Sequence, residues 1–192
     1  MKKASRKNII IWILLAIEVC ITLYALITMS SWGDESAYHA PLAETINWHS
    51  IINSHSNYSS AYTPLPYLIG NIFYKIWPSL YMLRLLNWLV VLMSVFIFYK
   101  IASRIVPENK WESTLLFTAN PYLLRASFIY VMFGYGLLFA LIGIYLYFYA
   151  EMKYNYLLTN IFFGLAVLSM QWMLVLYPAF LLSELKKTTC EH

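Results

Sequence analysis

The residues of this chain best suited to chemistry stand together at Trp32-Gly33-Asp34-Glu35, directly after a long apolar run. Adjacent carboxylates can take a proton from a reacting hydroxyl, or they can serve only as solvated charges where a chain leaves an apolar layer. His39 follows Glu35 at i, i+4, so the two share a face if the stretch is helical. With His49 and His55 it forms a histidine-rich segment that invites zinc. Neither an HExxH pattern nor a cysteine and histidine spacing is present, and no metal ligands are assigned. Glu18 lies in the middle of the apolar run itself. An acid there is either functional or a neutral, hydrogen-bonded carboxyl turned toward another helix. Asn57-Tyr58-Ser59 is a formal N-glycosylation sequon, informative only in a eukaryotic protein.

The elements that must position these residues are expected to be membrane helices. Of 192 residues 61% are hydrophobic and 11% charged, against about 25% charged in soluble domains. The apolar residues fall in runs close to the roughly 20 needed to cross a bilayer core. The first, Ile9 to Met29, follows MKKASRKN; it is too long for a signal h-region, contains Glu18 and has no convincing cleavage site before Trp32. It reads as a retained first helix, and Lys2, Lys3, Arg6 and Lys7 put the N-terminus in the cytoplasm.

Residues 30–63 then form one long extracytoplasmic loop, with Pro41 to Trp48 as a short amphipathic surface helix. Further apolar segments follow at Pro64 to Trp77, Tyr81 to Ile105, Trp111 to Leu124, Val131 to Ala150, Tyr156 to Met170 and Trp172 to Leu185. The expectation is an all-α, polytopic transmembrane bundle of six or seven segments in a single membrane domain over 1–192, with helical segments filling 64–185. Pro64, Pro66, Pro121 and Pro178 begin or break these segments, as in helices interrupted around a cavity.

Lys75 and Arg84 bracket a turn that reads as cytoplasmic, and Lys186 with Lys187 favours the same side, requiring an even number of crossings. A broken passage over Tyr156 to Leu185, or a re-entrant segment, reconciles this with seven segments, but Lys100, Arg104 and Lys110 fit neither solution. The basic residues gather at helix ends and form no stripe for nucleic acid. Cys20 and Cys190 form neither a disulfide framework nor a metal pair. Many of the 17 tyrosines and 7 tryptophans lie near span ends, as interfacial anchors.

Several features recur in order along the chain: the acid pair outside the first helix, the loop with its surface helix, and Tyr62-Thr63-Pro64-Leu65-Pro66 opening the second helix. Leu83-Arg84-Leu85-Leu86-Asn87, Ala119-Asn120-Pro121 and Gly164-Leu165-Ala166-Val167-Leu168 follow. Together they resemble the N-terminal module of the membrane glycosyltransferases of the GT-C fold. That group includes protein O-mannosyltransferases, bacterial lipid A aminoarabinose transferases and the glucosyltransferases that complete the lipid-linked N-glycan precursor. The likeness covers nearly the whole chain. It departs where Tyr130 to Gly136 contains no acid and where Gln171 replaces an expected basic residue. Most relatives also continue for many more helices or carry an external C-terminal domain.

The resemblance implies transfer of a sugar from a polyprenyl-phosphate donor to an acceptor on the extracytoplasmic face, with inversion. By the match, Asp34 is the general base, and Glu35 orients it or holds a divalent cation beside the phosphate. His39 tunes Asp34 or binds the acceptor; Arg125 and Lys110 are candidates for the phosphate, against a bland reading as snorkelling anchors. Arg84 matches a family position and reads as a structural anchor. The location implied is an inner or plasma membrane, or the endoplasmic reticulum membrane in a eukaryote. The partners implied are membrane lipid, the lipid-linked donor and a second membrane subunit. The competing readings are a non-catalytic subunit that binds a polyprenyl lipid or supports a larger transferase, and a small transporter. The transporter is weakest, because no inverted repeat is visible.

Overall fold

The computed structural model describes residues 6–31, 33–46, 63–149 and 154–179. Trp32, Trp48, His49, His55, the sequon, Lys2, Lys3, Lys186, Lys187 and Cys190 lie outside the described residues. Helix α1 runs over Arg6–Thr28, and a π-helical turn, Glu35–His39, passes directly into α2, Ala40–Thr45. Then come α3 (Leu65–Ile76), α4 (Leu80–Ile105), α5 (Lys110–Thr118), α6 (Pro121–Phe128), α7 (Phe133–Tyr149) and α8 (Asn155–Ser169), followed by a 3-10 turn at Gln171–Val175. No strand occurs among the described residues.

Local chemistry explains the boundaries. Helix α1 contains no glycine or proline and is apolar on nearly every side, the pattern of a helix surrounded by apolar contacts. Ser79 caps α4 by accepting from the Tyr81 amide. The apolar segment Trp111 to Leu124, with Pro121 expected to interrupt or begin a helix, forms two helices, α5 and α6. Pro121 has no amide hydrogen for a bond to an earlier turn and ends the first helix. It is accommodated at the first position of the next, where Asn120 accepts from the Tyr122 amide.

Two helices, Asn8–Thr28 and Leu80–Ile105, are long and apolar enough to cross a membrane. A third passage arises if Pro121–Phe128 and Phe133–Tyr149 are joined, although those helices meet at 116°. The six or seven apolar segments therefore do not each supply a full-length spanning helix among the described residues.

Contacts fix the relative direction of the long elements. Trp88 of α4 donates to Thr22 of α1, and Arg84 bonds to the carbonyls of Leu26 and Met29, so α4 starts where α1 finishes. That end is called upper here. At the other, lower end, Trp12 of α1 meets Trp111 of α5, which also touches Tyr99 of α4. Helices α5 and α6 then climb beside α1 and bring Arg125 to the upper end, next to Asp34. Helices α7 and α8 make the most extensive helix pair and run antiparallel: Gly136 of α7 lies against Met170 and Ala166, and Gly143 against Phe163.

This path corrects one expectation. The turn between α3 and α4 is not at the lower end: Arg84, near the start of α4, reaches the end of α1, and α3 stays at that upper end. It has 12 residues, about 18 Å of helix, and packs on α2: Asn71 donates to the carbonyls of Ala43 and Glu44, and Tyr67 bonds His39. With α3 confined to the upper end, Lys100, Arg104 and Lys110 fall at the lower end, where α1 begins with Arg6.

Candidate functional site

The upper end is organised around Arg84, one of the largest fully buried side chains of the protein. Its Nε donates to Glu35 Oε1 at 2.9 Å and its Nη2 to Glu35 Oε2 at 2.6 Å, a two-pronged ion pair with both side chains out of solvent. The same guanidinium donates to the carbonyls of Leu26, Met29 and Ser30, which the end of α1 leaves without helical partners. Glu35 Oε1 also accepts from the amide of Tyr130, in the link between α6 and α7. One turn along α4, Asn87 donates to the carbonyls of Ile129 and Val131 in that link. The segment Leu83 to Asn87 is thus a clamp, with Arg84 and Asn87 on one face tying α1, the π-helical turn and the α6 to α7 link to α4.

Gly33 turns the chain into this arrangement with a positive φ of 28°, a conformation that a side chain disfavours. Successive helical residues point about 100° apart, so Asp34 and Glu35 diverge: Glu35 enters the core, while the Asp34 side chain is 67% exposed. Asp34, His39, Tyr122, Arg125, Val131, Phe133 and Met170 line a cleft of about 280 Å³. Within it Arg125 Nη2 stands 4.0 Å from Asp34 Oδ2, both side chains largely open to solvent. Exposed pairs of this kind contribute at most about 1 kcal/mol, so the two groups can exchange each other for a ligand at small cost. His39 is buried at the cleft wall, its Nδ1 2.8 Å from the Tyr67 hydroxyl. Burial lowers its pKa below the usual imidazole value and Arg125 adds to that, while Asp34 and Glu35 pull it upward.

Three of the five candidate residues, Asp34, His39 and Arg125, therefore meet in one cleft. Glu35 stands behind it, with its carboxylate engaged by Arg84 and the Tyr130 amide, and is not available to a cation beside Asp34. Among the described residues no group of three or more His, Cys, Asp or Glu could hold a metal ion. Lys110 does not join the site; it lies at the lower end, its ammonium 5.7 Å from the ring centre of Tyr99. Sequence reading missed Tyr122, Phe133 and Met170, whose only signal was membership of apolar runs. It also missed the Glu35–Arg84 pairing, for which a signal existed: two opposite charges in apolar surroundings must find each other. Glu18 sits against the Thr118 hydroxyl beside a small cavity of about 60 Å³ lined by Thr22, Trp88 and Ser127 among others.

Fold and cleft define an all-helical protein with two or three candidate membrane-spanning helices and, at one end of the bundle, a cleft that holds Asp34, His39 and Arg125. No family model, curated protein or solved structure matches this chain.

Proposed function

We propose that this protein is a multi-pass membrane glycosyltransferase that moves a sugar from a polyprenyl-phosphate donor to an acceptor hydroxyl in the upper cleft. The observation that carries the reading is the grouping of Asp34, His39 and Arg125 in one open cleft, with Asp34 exposed and Arg125 beside it. In the proposed step the acceptor oxygen attacks the anomeric carbon and the bond from that carbon to the phosphate oxygen breaks. The acceptor's proton passes to Asp34, and the leaving phosphate keeps the electron pair. Arg125 pairs with the phosphate oxygens, which its planar fork suits. His39 borders the acceptor side and, being held neutral, serves as a hydrogen-bonding group. Glu35 holds the π-helical turn in place through Arg84.

The associated topology puts the N-terminus in the cytoplasm and the cleft on the extracytoplasmic side, in an inner, plasma or endoplasmic reticulum membrane. Support comes from the cations Lys100, Arg104 and Lys110, which share the lower end with the basic start of α1. The passages through the bilayer among the described residues are then α1, α4, the broken pair α5 and α6, α7 and α8.

One observation favours a second reading, a non-catalytic subunit that binds a polyprenyl lipid or supports a larger transferase. Glu35 is occupied by Arg84, leaving Asp34 as the single acid among the described residues that line the cleft. Reconstituted protein incubated with a series of polyprenyl-phosphate sugars separates the two. The transferase reading expects product from wild type and a loss of roughly a hundredfold or more in Asp34→Asn, the usual contribution of a general base. Donor binding without product, unaffected by that substitution, would favour the subunit.

A further inference from the structure

The lower end carries a second recognisable surface, remote from the cleft. Between α1, α4 and α5 runs a groove of about 310 Å³ whose walls include Trp12, Val95, Phe96, Tyr99 and Trp111. Trp111 bridges its two sides, 4.3 Å from Trp12 and 4.4 Å from Tyr99 between ring centres. Two of the lining rings carry ammonium groups: Lys110 Nζ lies 5.7 Å from the Tyr99 centroid, and Lys100 Nζ lies 5.3 Å from that of Phe96. Arg104 follows one turn beyond Lys100. Glu108 and Glu112 offset only part of this charge. An apolar slot with an aromatic wall and cations at its rim matches one chemistry: a hydrocarbon chain joined to an anionic phosphate at the membrane interface.

We propose that this groove binds one anionic glycerophospholipid, with an acyl chain along the aromatic wall and the headgroup phosphate at Lys100 and Lys110. The site differs from ordinary lipid contact in its selectivity for charge, and it does not depend on the activity assigned to the upper cleft. Each interfacial lysine favours an anionic over a zwitterionic headgroup by roughly fivefold.

The test uses the full chain in phosphatidylcholine nanodiscs, titrated with dibrominated phosphatidylglycerol or dibrominated phosphatidylcholine while tryptophan fluorescence is read. The Trp12→Phe/Trp111→Phe variant supplies the signal of the other tryptophans. With two lysines, we expect the Trp12 and Trp111 component to be half-quenched at a phosphatidylglycerol fraction about 25-fold below that needed with phosphatidylcholine. Lys100→Gln/Lys110→Gln abolishes that preference, as does about 0.5 M salt on the wild type, where screening is short-ranged. Equal quenching of the wild type by both lipids overturns the proposal. A preference that survives both the lysine variant and high salt does so equally. If the lysine variant does not fold, the salt arm on the wild type decides.

Discussion

At the residue scale, two neighbouring acids have opposite environments, and substitution separates them. Arg84→Ala leaves Glu35 buried without its partner, which typically costs about 3–5 kcal/mol. Thermal unfolding of the purified protein is therefore expected to shift down by several degrees. Asp34→Asn changes an exposed group in a weak pair, so its stability is expected to stay within about 0.5 kcal/mol of wild type. A large Tm loss for Asp34→Asn, or none for Arg84→Ala, contradicts the assignment of the two roles. The sequence marked both acids as one motif; a charge such as Arg84 in apolar surroundings signals that it has a partner, but nothing near Glu35 says that it, and not Asp34, meets an arginine 49 positions away.

His39 adds a pH dependence with a definite sign. Its pKa is lowered in the folded protein, chiefly by burial, so the unfolded chain binds its proton first. The stability it supports is intact above about pH 6.5, the ordinary imidazole value, and is lost as pH falls below it and through the lower folded value. Unfolding curves at pH 7.5 and 5.5 are expected to differ less in His39→Gln than in wild type. An unchanged difference in the variant assigns the pH dependence to other groups.

At the element scale, most helices were readable because apolar runs and prolines act locally. Leu80–Ile105 and Asn155–Ser169 fall within a residue or two of their expected limits. The break between α5 and α6 was signalled too, by Asn120-Pro121 inside the segment Trp111 to Leu124. How helices approach one another was not readable. At Gly143 a Cβ would lie 2.5 Å from the Phe163 ring, so α7 and α8 can be this close only with glycine there. Gly143→Leu is expected to cost about 1–3 kcal/mol through overpacking, and Phe163→Ala in the same chain to recover part of it. Unfolding of the single and double variants measures this, and strict additivity would exclude the contact.

At the scale of the whole molecule, the decisive fact is that α3 lies on α2 at the upper end. Ser79 and Asp34 are then on one side of the bundle, and Arg104 and Lys110 on the other. In a cysteine-free background, Ser79→Cys and Asp34→Cys are expected to react with an impermeant maleimide from the same face of sealed vesicles. Arg104→Cys is expected to react only from the opposite face. Labelling of residue 79 from the face that labels residue 104 would restore the crossing by α3 expected from the sequence.

The sequence by itself determined that this is a helical chain of membrane composition, where most helices start and stop, and which polar residues stand out from the apolar background. Those properties depend on side-chain polarity and backbone preference within a few turns. Tertiary structure alone decided which of two adjacent carboxylates is buried, that Arg125 and His39 join Asp34 while Lys110 does not, and which apolar segment packs on α2 at the upper end. Each of these turns on charges and rings brought together across tens of residues, and apolar helices of similar composition carry no label for the neighbour they will pack against.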